Sequence, residues 1–532
     1  MMKDRELYNR ITPENVNDRI DAEYYTKANI INEDMLNQFT NVSMEELVDP
    51  LISNNIADLT SNGSFEFLRG IDFTSNAGVP FIRTQNVLEG YIDNNDILYV
   101  ANHCKGMVSK SLCNAGDLVV CRKGKVGSAS SVVDNFSGAS ISENITRFSL
   151  LNDFDADFIS SFLNSKQGRT RFLRESTGVV QKWINNEKLR KIRVIRLNDT
   201  VEKYIGNKVR QAETLREWAK RSQLKLDELM KSILRGCKKP TKIIFNRVDK
   251  NEINAGRLEA EFYRPEVKWA EDEVRGSKFE SKQLKNLVKR IKDGPGGWGV
   301  STNDYVNEGI PVIRSVNIVD GVCDLKNSVF ISIKKHHDLI AHRVKRGSVV
   351  LSVRGTIGRA AVFDDDFYEE ASINAAVVTI DCEEYLLPHY LAEFLNSKVG
   401  KIQSNRLANG AVQLNMNLNE TGDNWIPVPT YEFQKNIETL RKKRLFKQKV
   451  SFCLPEAAKQ LVEALIENKL TEQELINAQQ ALERGDNTLD RQILSRLTPK
   501  GIDHEDGAPL FTDLDQLYDL LNQAENFQEV TP

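Results

Sequence analysis

Two short basic loops hold the first residues in this chain that could do chemistry. Arg122-Lys123-Gly124-Lys125-Val126-Gly127 follows the apolar run LVVC, and Val353-Arg354-Gly355-Thr356-Ile357-Gly358-Arg359 follows VVLS. Glycine lets a backbone approach a ligand closely, and Lys or Arg beside it suits phosphate oxygens or guanine edges. A second group is Arg83, Gln85 and Asn86, matched by Arg314 and Asn317. Arg, Gln and Asn are the side chains that form bidentate contacts with base edges. Gln181, with Lys182 beside it, and Gln413 stand in matching polar loops behind a glycine. Taken singly, each of these residues also suits an ordinary turn.

No catalytic constellation accompanies them. The chain lacks an [ND]PP[YF] motif, a Walker A sequence, a GxSxG elbow and a deaminase HxE/CxxC set. GPGGWG at 294–299 satisfies GxGxxG, yet it follows KRIKD rather than a buried strand, and no βαβ unit follows. The seven cysteines are scattered without a CxxC pair, and the six histidines form no HExxH. A disulfide framework, a metal site and a catalytic residue are therefore not expected.

What positions the candidate residues is a duplication. GVPFIRTQNV (78–87) answers GIPVIRSVNI (309–318), and AGDLVVCRKGKVGSA (115–129) answers RGSVVLSVRGTIGRA (346–360). FISSFLNSKQG answers YLAEFLNSKVG, GVVQKWI answers GAVQLNM, and upstream RIDAEYY answers RLEAEFY. All five blocks keep their order, at offsets of 231, 231, 232, 232 and 238 residues, far too long a period for a solenoid repeat.

Each copy reads as mixed α+β: short β-branched runs such as ITRFSLL and IRVIRL, interrupted by one helix over DFISSFLNSKQGRTRFLRES. A long helix is predicted from Thr200 to Leu234, capped by Asn198 or Asp199 and stopped at Gly236. Its apolar stripe of Val201, Ile205, Val209, Ala212, Leu215, Leu226, Leu229 and Ile233 suits packing along another long helix. A second long helix starts near Glu432, and Pro455 is expected to end or kink it. Thr471 and Glu474 form a capping box for a further helix. The expected segments are 1–44 helical, 45–197 first domain, 198–250 long helix and linker, and 251–279 opening the second copy. Residues 280–428 form the second domain, 429–454 the second long helix, and 455–532 an acidic helical extension.

With 532 residues, 40% hydrophobic and 28% charged, the composition is that of a globular protein with two or three cores. No eighteen-residue apolar run or signal-peptide core is present, so a cytoplasmic location is expected. The net charge of −3 conceals an asymmetry. Residues 467–532 carry 14 acids and 5 bases, whereas 202–247 carry 13 bases and 5 acids. Basic faces of that kind matter more for phosphate attraction than whole-chain charge does.

The ordered set GxPxIRxxN, glycine loop, [FL]LNSxxG and GxxQ occurs twice, each time followed by a long helix. It resembles the specificity subunit of Type I restriction–modification systems, the HsdS family, over roughly residues 15–450. The resemblance implies two tandem target recognition domains joined by long helices that pack as an antiparallel coiled coil. It implies a non-catalytic reader of double-stranded DNA with an asymmetric bipartite site. Arg83, Gln85, Asn86, Arg122, Lys123, Lys125, Gln181, Lys182, Arg314, Asn317, Arg354, Thr356, Arg359 and Gln413 are its candidate DNA-binding residues. The implied partners are two adenine-N6 methyltransferase subunits and restriction/translocase subunits, which would hold S-adenosylmethionine, ATP and Mg2+. The acidic extension leaves a second reading open, a diverged specificity-like subunit of another defence assembly that docks a different partner.

Overall fold

The computed structural model describes residues 16, 19, 21–178, 181–240, 247–253, 257–296, 299–325, 328–365, 368–408, 414–504 and 508–528. The main helices are α1 (Lys27–Leu36), α2 (Ala156–Asn164), α3 (Lys166–Glu175), α4 (Asp199–Ile233), α5 (Pro265–Arg275), α6 (Pro388–Asn396), α7 (Lys398–Leu407), α8 (Tyr431–Ile466), α9 (Glu472–Glu483), α10 (Thr488–Ser495) and α11 (Leu514–Gln528). They divide between two compact units, Met1–Arg216 with Lys449–Pro532, and Glu217–Gln448.

In the first unit, Leu118–Cys121 is buried at all four positions, as its unbroken apolar run requires of a strand covered on both faces. It lies inside a four-stranded sheet in the order Ile56–Ala57, Ile145–Phe148, Leu118–Cys121, Ala129–Ser131. A second sheet runs Ser140–Ile141, Val79–Ile82, Leu98–Val100, Phe73–Thr74, with a parallel step at Phe81↔Ser140. The second unit repeats both sheets. Val288–Asp293, Val377–Cys382, Val349–Ser352, Ala360–Val362 is one, and the parallel step recurs at Val312↔Ser372 in the other. There Arg343–Lys345 adds an edge strand, where the first copy has 3-10 turns over Asn102–Ser111 and a single bridge from Leu112 to Ser140.

The expected helix over DFISSFLNSKQGRTRFLRES is two helices, because Ser165 turns extended (ψ 161°) and caps α3 by accepting from the Gly168 amide at 3.1 Å. Helix α4 lies within a residue of expectation. The Asn198 side chain accepts from the Thr200 amide, and Gly236 takes φ +86° beyond its end.

The expectation that the helix ends at Pro455 is corrected: α8 runs through it to Ile466. Proline has no N–H, so the carbonyl four residues earlier, that of Ser451, loses its helical donor. Arg216 of α4 supplies one, donating Nη2–H to the Ser451 oxygen at 2.8 Å. Arg216 also stacks on Tyr91, 4.0 Å from the ring centre, and Tyr91 packs on Phe452. Gly90 seats against the proline ring, and its φ of +84° and 3.1 Å clearance leave little room for a side chain. Within the second unit, Lys447 donates to Ser222 and lies over Trp218, while Leu226, Met230 and Ile233 share a core with Ile437. Within that unit, later residues of α4 thus meet earlier residues of α8, an antiparallel pairing.

The acidic extension is built into the first unit. Lys208 of α4 and Asp490 of α10 are both 1% exposed and meet at 2.7 Å. Tyr204 and Tyr518 donate to the two oxygens of the same carboxylate. The Thr471–Glu474 capping box is present, and Lys203 pairs with Glu483 at 2.8 Å.

Two outcomes follow. Arg216→Met removes its hydrogen bond to the Ser451 carbonyl, so the first unit loses about 1–3 kcal/mol, and amides around 452–459 exchange faster with deuterium. Unchanged exchange there would show that the carbonyl is satisfied some other way. Burial alone would raise the Asp490 carboxyl, but Lys208 and the tyrosines outweigh it and hold it below its ordinary 3.8. Its folded value lies below its unfolded value, so its contribution is complete above about pH 4 and fades as pH falls through the lowered value. Asp490→Asn removes that acid-dependent part, read as a flatter stability profile below pH 4 in chemical denaturation.

Candidate nucleic-acid interface

The repeated blocks turn out to be framework. Asn86 is 1% exposed; its Oδ1 accepts from the Arg83 amide at 3.0 Å and its Nδ2 donates to the carbonyls of Asp93 and Asn95. Asn317 repeats this with the Arg314 amide at 3.1 Å and the Asp324 carbonyl at 2.9 Å. Both asparagines lock the hairpin that follows. Arg122 is also tied to the frame. Its guanidinium reaches inward to Asp58 at 2.7 Å and to the Glu143 carbonyl, and Asp58 also takes the Asn186 amide at 3.0 Å.

The other blocks behave the same way. Asn164 exchanges two hydrogen bonds with the backbone of Ala129, and Asn396 does so with Ala360. Ser397 caps α7 as Ser165 caps α3. Arg19 donates to the last carbonyls of α3, and Arg257 to those of α7, countering the partial negative charge of each helix end.

What remains outside the frame gathers at the strand ends. In the first copy, Lys123 bridges to Trp183 through the backbone, and the Ile184 amide donates to the Arg122 carbonyl at 3.0 Å. Lys125 reaches the Gln85 carbonyl at 3.4 Å. The loops 83–86, 122–127 and 181–184 therefore meet, presenting Gln85, Lys123, Lys125, Gln181 and the 45% exposed Trp183 to solvent. Lys182 turns aside to Glu23 at 2.7 Å, and Arg83 to the Asp96 carbonyl at 2.5 Å. In the second copy, Arg354 bridges to Asn415, and the Met416 amide donates to the Val353 carbonyl at 2.9 Å. Arg354, Thr356 and Arg359 are exposed, while Arg314 bends back to Asn317 at 3.3 Å. Gln413 lies outside the described residues.

Trp183 and Asn415 were not singled out in the sequence, although they occupy the same place, two residues beyond the repeated glutamine. Their signal was available as a contrast between copies, not as a motif. A cationic surface with glycine turns and one exposed indole offers phosphate attraction, base-edge hydrogen bonding and stacking.

Among the described residues, one group could offer three metal ligands, Asp72, His103 and Cys104, with their atoms within 4.8 Å of one another. Asp72 and His103 already pair at 2.9 Å, and the Cys104 thiol sits in the apolar core facing the Gly70 carbonyl. His336 is buried against Ser372 and Glu370.

The division between frame and surface has a measurable form. Asn86→Ala and Asn317→Ala each strand buried backbone groups and should cost about 1–3 kcal/mol in chemical denaturation. Lys123→Ala should stay within about 0.5 kcal/mol of the parent. The reverse order would put the asparagines at the surface.

No family model matches the chain. The specificity subunit of the Type I restriction enzyme EcoBI from Escherichia coli is 27% identical to it over 139 residues, which is 26% of this chain and 29% of that protein. Among solved structures, the Type I restriction–modification S subunit from M. genitalium aligns with 82% of this chain and 96% of its own, at 11% identity and a TM-score of 0.41. The HsdS subunit from Thermoanaerobacter tengcongensis aligns with 85% of this chain and 97% of its own, at 14% identity and a TM-score of 0.27. The chain spans under a third of the length of the curated relative it matches. Over that quarter of its length, the chain is similar to the specificity subunit of a Type I restriction enzyme.

Proposed function

We propose that this protein is the non-catalytic DNA-recognition subunit of a Type I restriction–modification complex. Each copy reads one half of a bipartite DNA site. Two adenine-N6 methyltransferase subunits, and restriction/translocase subunits, assemble on it in the cytoplasm and carry S-adenosylmethionine, ATP and Mg2+. The observation that carries this reading is the split within each copy: duplicated residues such as Asn86 and Asn317 are committed to the frame, and most exposed loop residues differ.

Lys123 and Lys125 would attract phosphates and set position without sequence information. Gln85, Gln181, Arg354, Thr356 and Arg359 would meet base edges. Different side chains at matched places mean different half-sites, and so an asymmetric target.

Single-molecule sequencing of host DNA tests the reading. A bipartite N6-methyladenine motif should vanish when this gene is deleted, and its persistence would overturn the assignment. In purified complexes, Lys123→Ala with Lys125→Ala should weaken binding to all duplexes alike, lowering the slope of log affinity against log salt by about one per lysine.

A further inference from the structure

We infer that Asn415 is a positioning residue for Arg354, and that the pair selects a guanine in the half-site of the second copy. This rests on the DNA-reading function proposed above. Arg354 Nε donates to Asn415 Oδ1 at 3.0 Å, and the two residues are also joined by an antiparallel backbone bridge. A guanidinium held through Nε keeps its two terminal nitrogens free to act as a planar fork. That fork matches the O6 and N7 acceptors which guanine presents in the major groove.

Arg354 is exposed, so without Asn415 its side chain would have to be ordered on binding. Fixing it beforehand removes much of that cost. The bridge also carries the Asn415 side chain on backbone anchored by the Met416 amide, which donates to the Val353 carbonyl at 2.9 Å.

The matched place in the first copy has different chemistry. There Lys123 bridges to Trp183, whose indole has no side-chain acceptor, and a lysine ammonium is a point charge rather than a fork. Oriented bidentate recognition by this pair is therefore a property of the second copy alone.

A double-mutant cycle tests the inference, using the full chain with its co-purifying subunits. The probes are the duplex carrying the methylated motif and a set with each base pair of the second half-site replaced in turn. Arg354→Ala should lose roughly tenfold or more discrimination at one G·C pair. Asn415→Ala should lose most of that discrimination at the same pair, with an unchanged unfolding midpoint. The double variant should match Arg354→Ala alone. Asn415→Asp, which keeps an acceptor oxygen, should retain the discrimination. Additive losses, or losses at unrelated positions in both half-sites, would overturn the pairing. A parent complex with no preference among the duplexes would instead remove the DNA-reading function on which the inference rests.

Discussion

The hydrogen bond from Arg216 to the Ser451 carbonyl governs how the C-terminal part of this chain is built. Pro455 removes the helical donor for that carbonyl, and a buried carbonyl without a donor is costly enough to break a helix. A side chain from α4 restores the bond, and α8 continues for eleven residues beyond the proline. Those residues do further work in the first unit. Glu463 accepts from the first amide of α3 at 2.7 Å, and Glu467, just past the end of α8, accepts from Gln167 at 3.2 Å. The chain then turns into α9, whose Glu472 accepts from the Asn198 amide at the start of α4. An arm that the charge count alone would leave loose is thereby fixed to the first unit. Its acids include Asp490, buried on a lysine of α4, and Glu483, paired with another.

The duplicated motifs illustrate a general hazard in assigning function from repeats. Three recurring pairs are Asn86 and Asn317, Asn164 and Asn396, and Arg19 and Arg257. All of them satisfy backbone groups at hairpins, strand ends or helix ends. Buried backbone groups must find partners in any fold of this shape, whatever the loops do. These three pairs do the same structural work in both copies. The residues bridged at the loop ends differ between copies, as Lys123 and Trp183 differ from Arg354 and Asn415.

Much of this was legible in the sequence for physical reasons. The fully buried strands announced themselves as unbroken apolar runs, the long helix α4 as a stripe stepping by threes and fours, and the capping box at Thr471 by residue type and spacing. Those signals are local, because periodicity and caps act within a few residues. The convergence of loops 83–86, 122–127 and 181–184 was less visible. It depends on strand order, which places segments about 40 and 60 residues apart side by side.

By itself the sequence determined that there are two copies, which segments are helix or strand, and which loops carry basic residues. The tertiary structure alone decided the role of each polar side chain. Arg122 and Lys123 are neighbours of similar type, yet one points inward to Asp58 and the other faces solvent. Pro455 reads as a helix end until Arg216, 239 residues earlier, is brought beside Ser451. Hydrogen-bond satisfaction is settled by whichever donor folding brings near, and a linear pattern does not encode that distance.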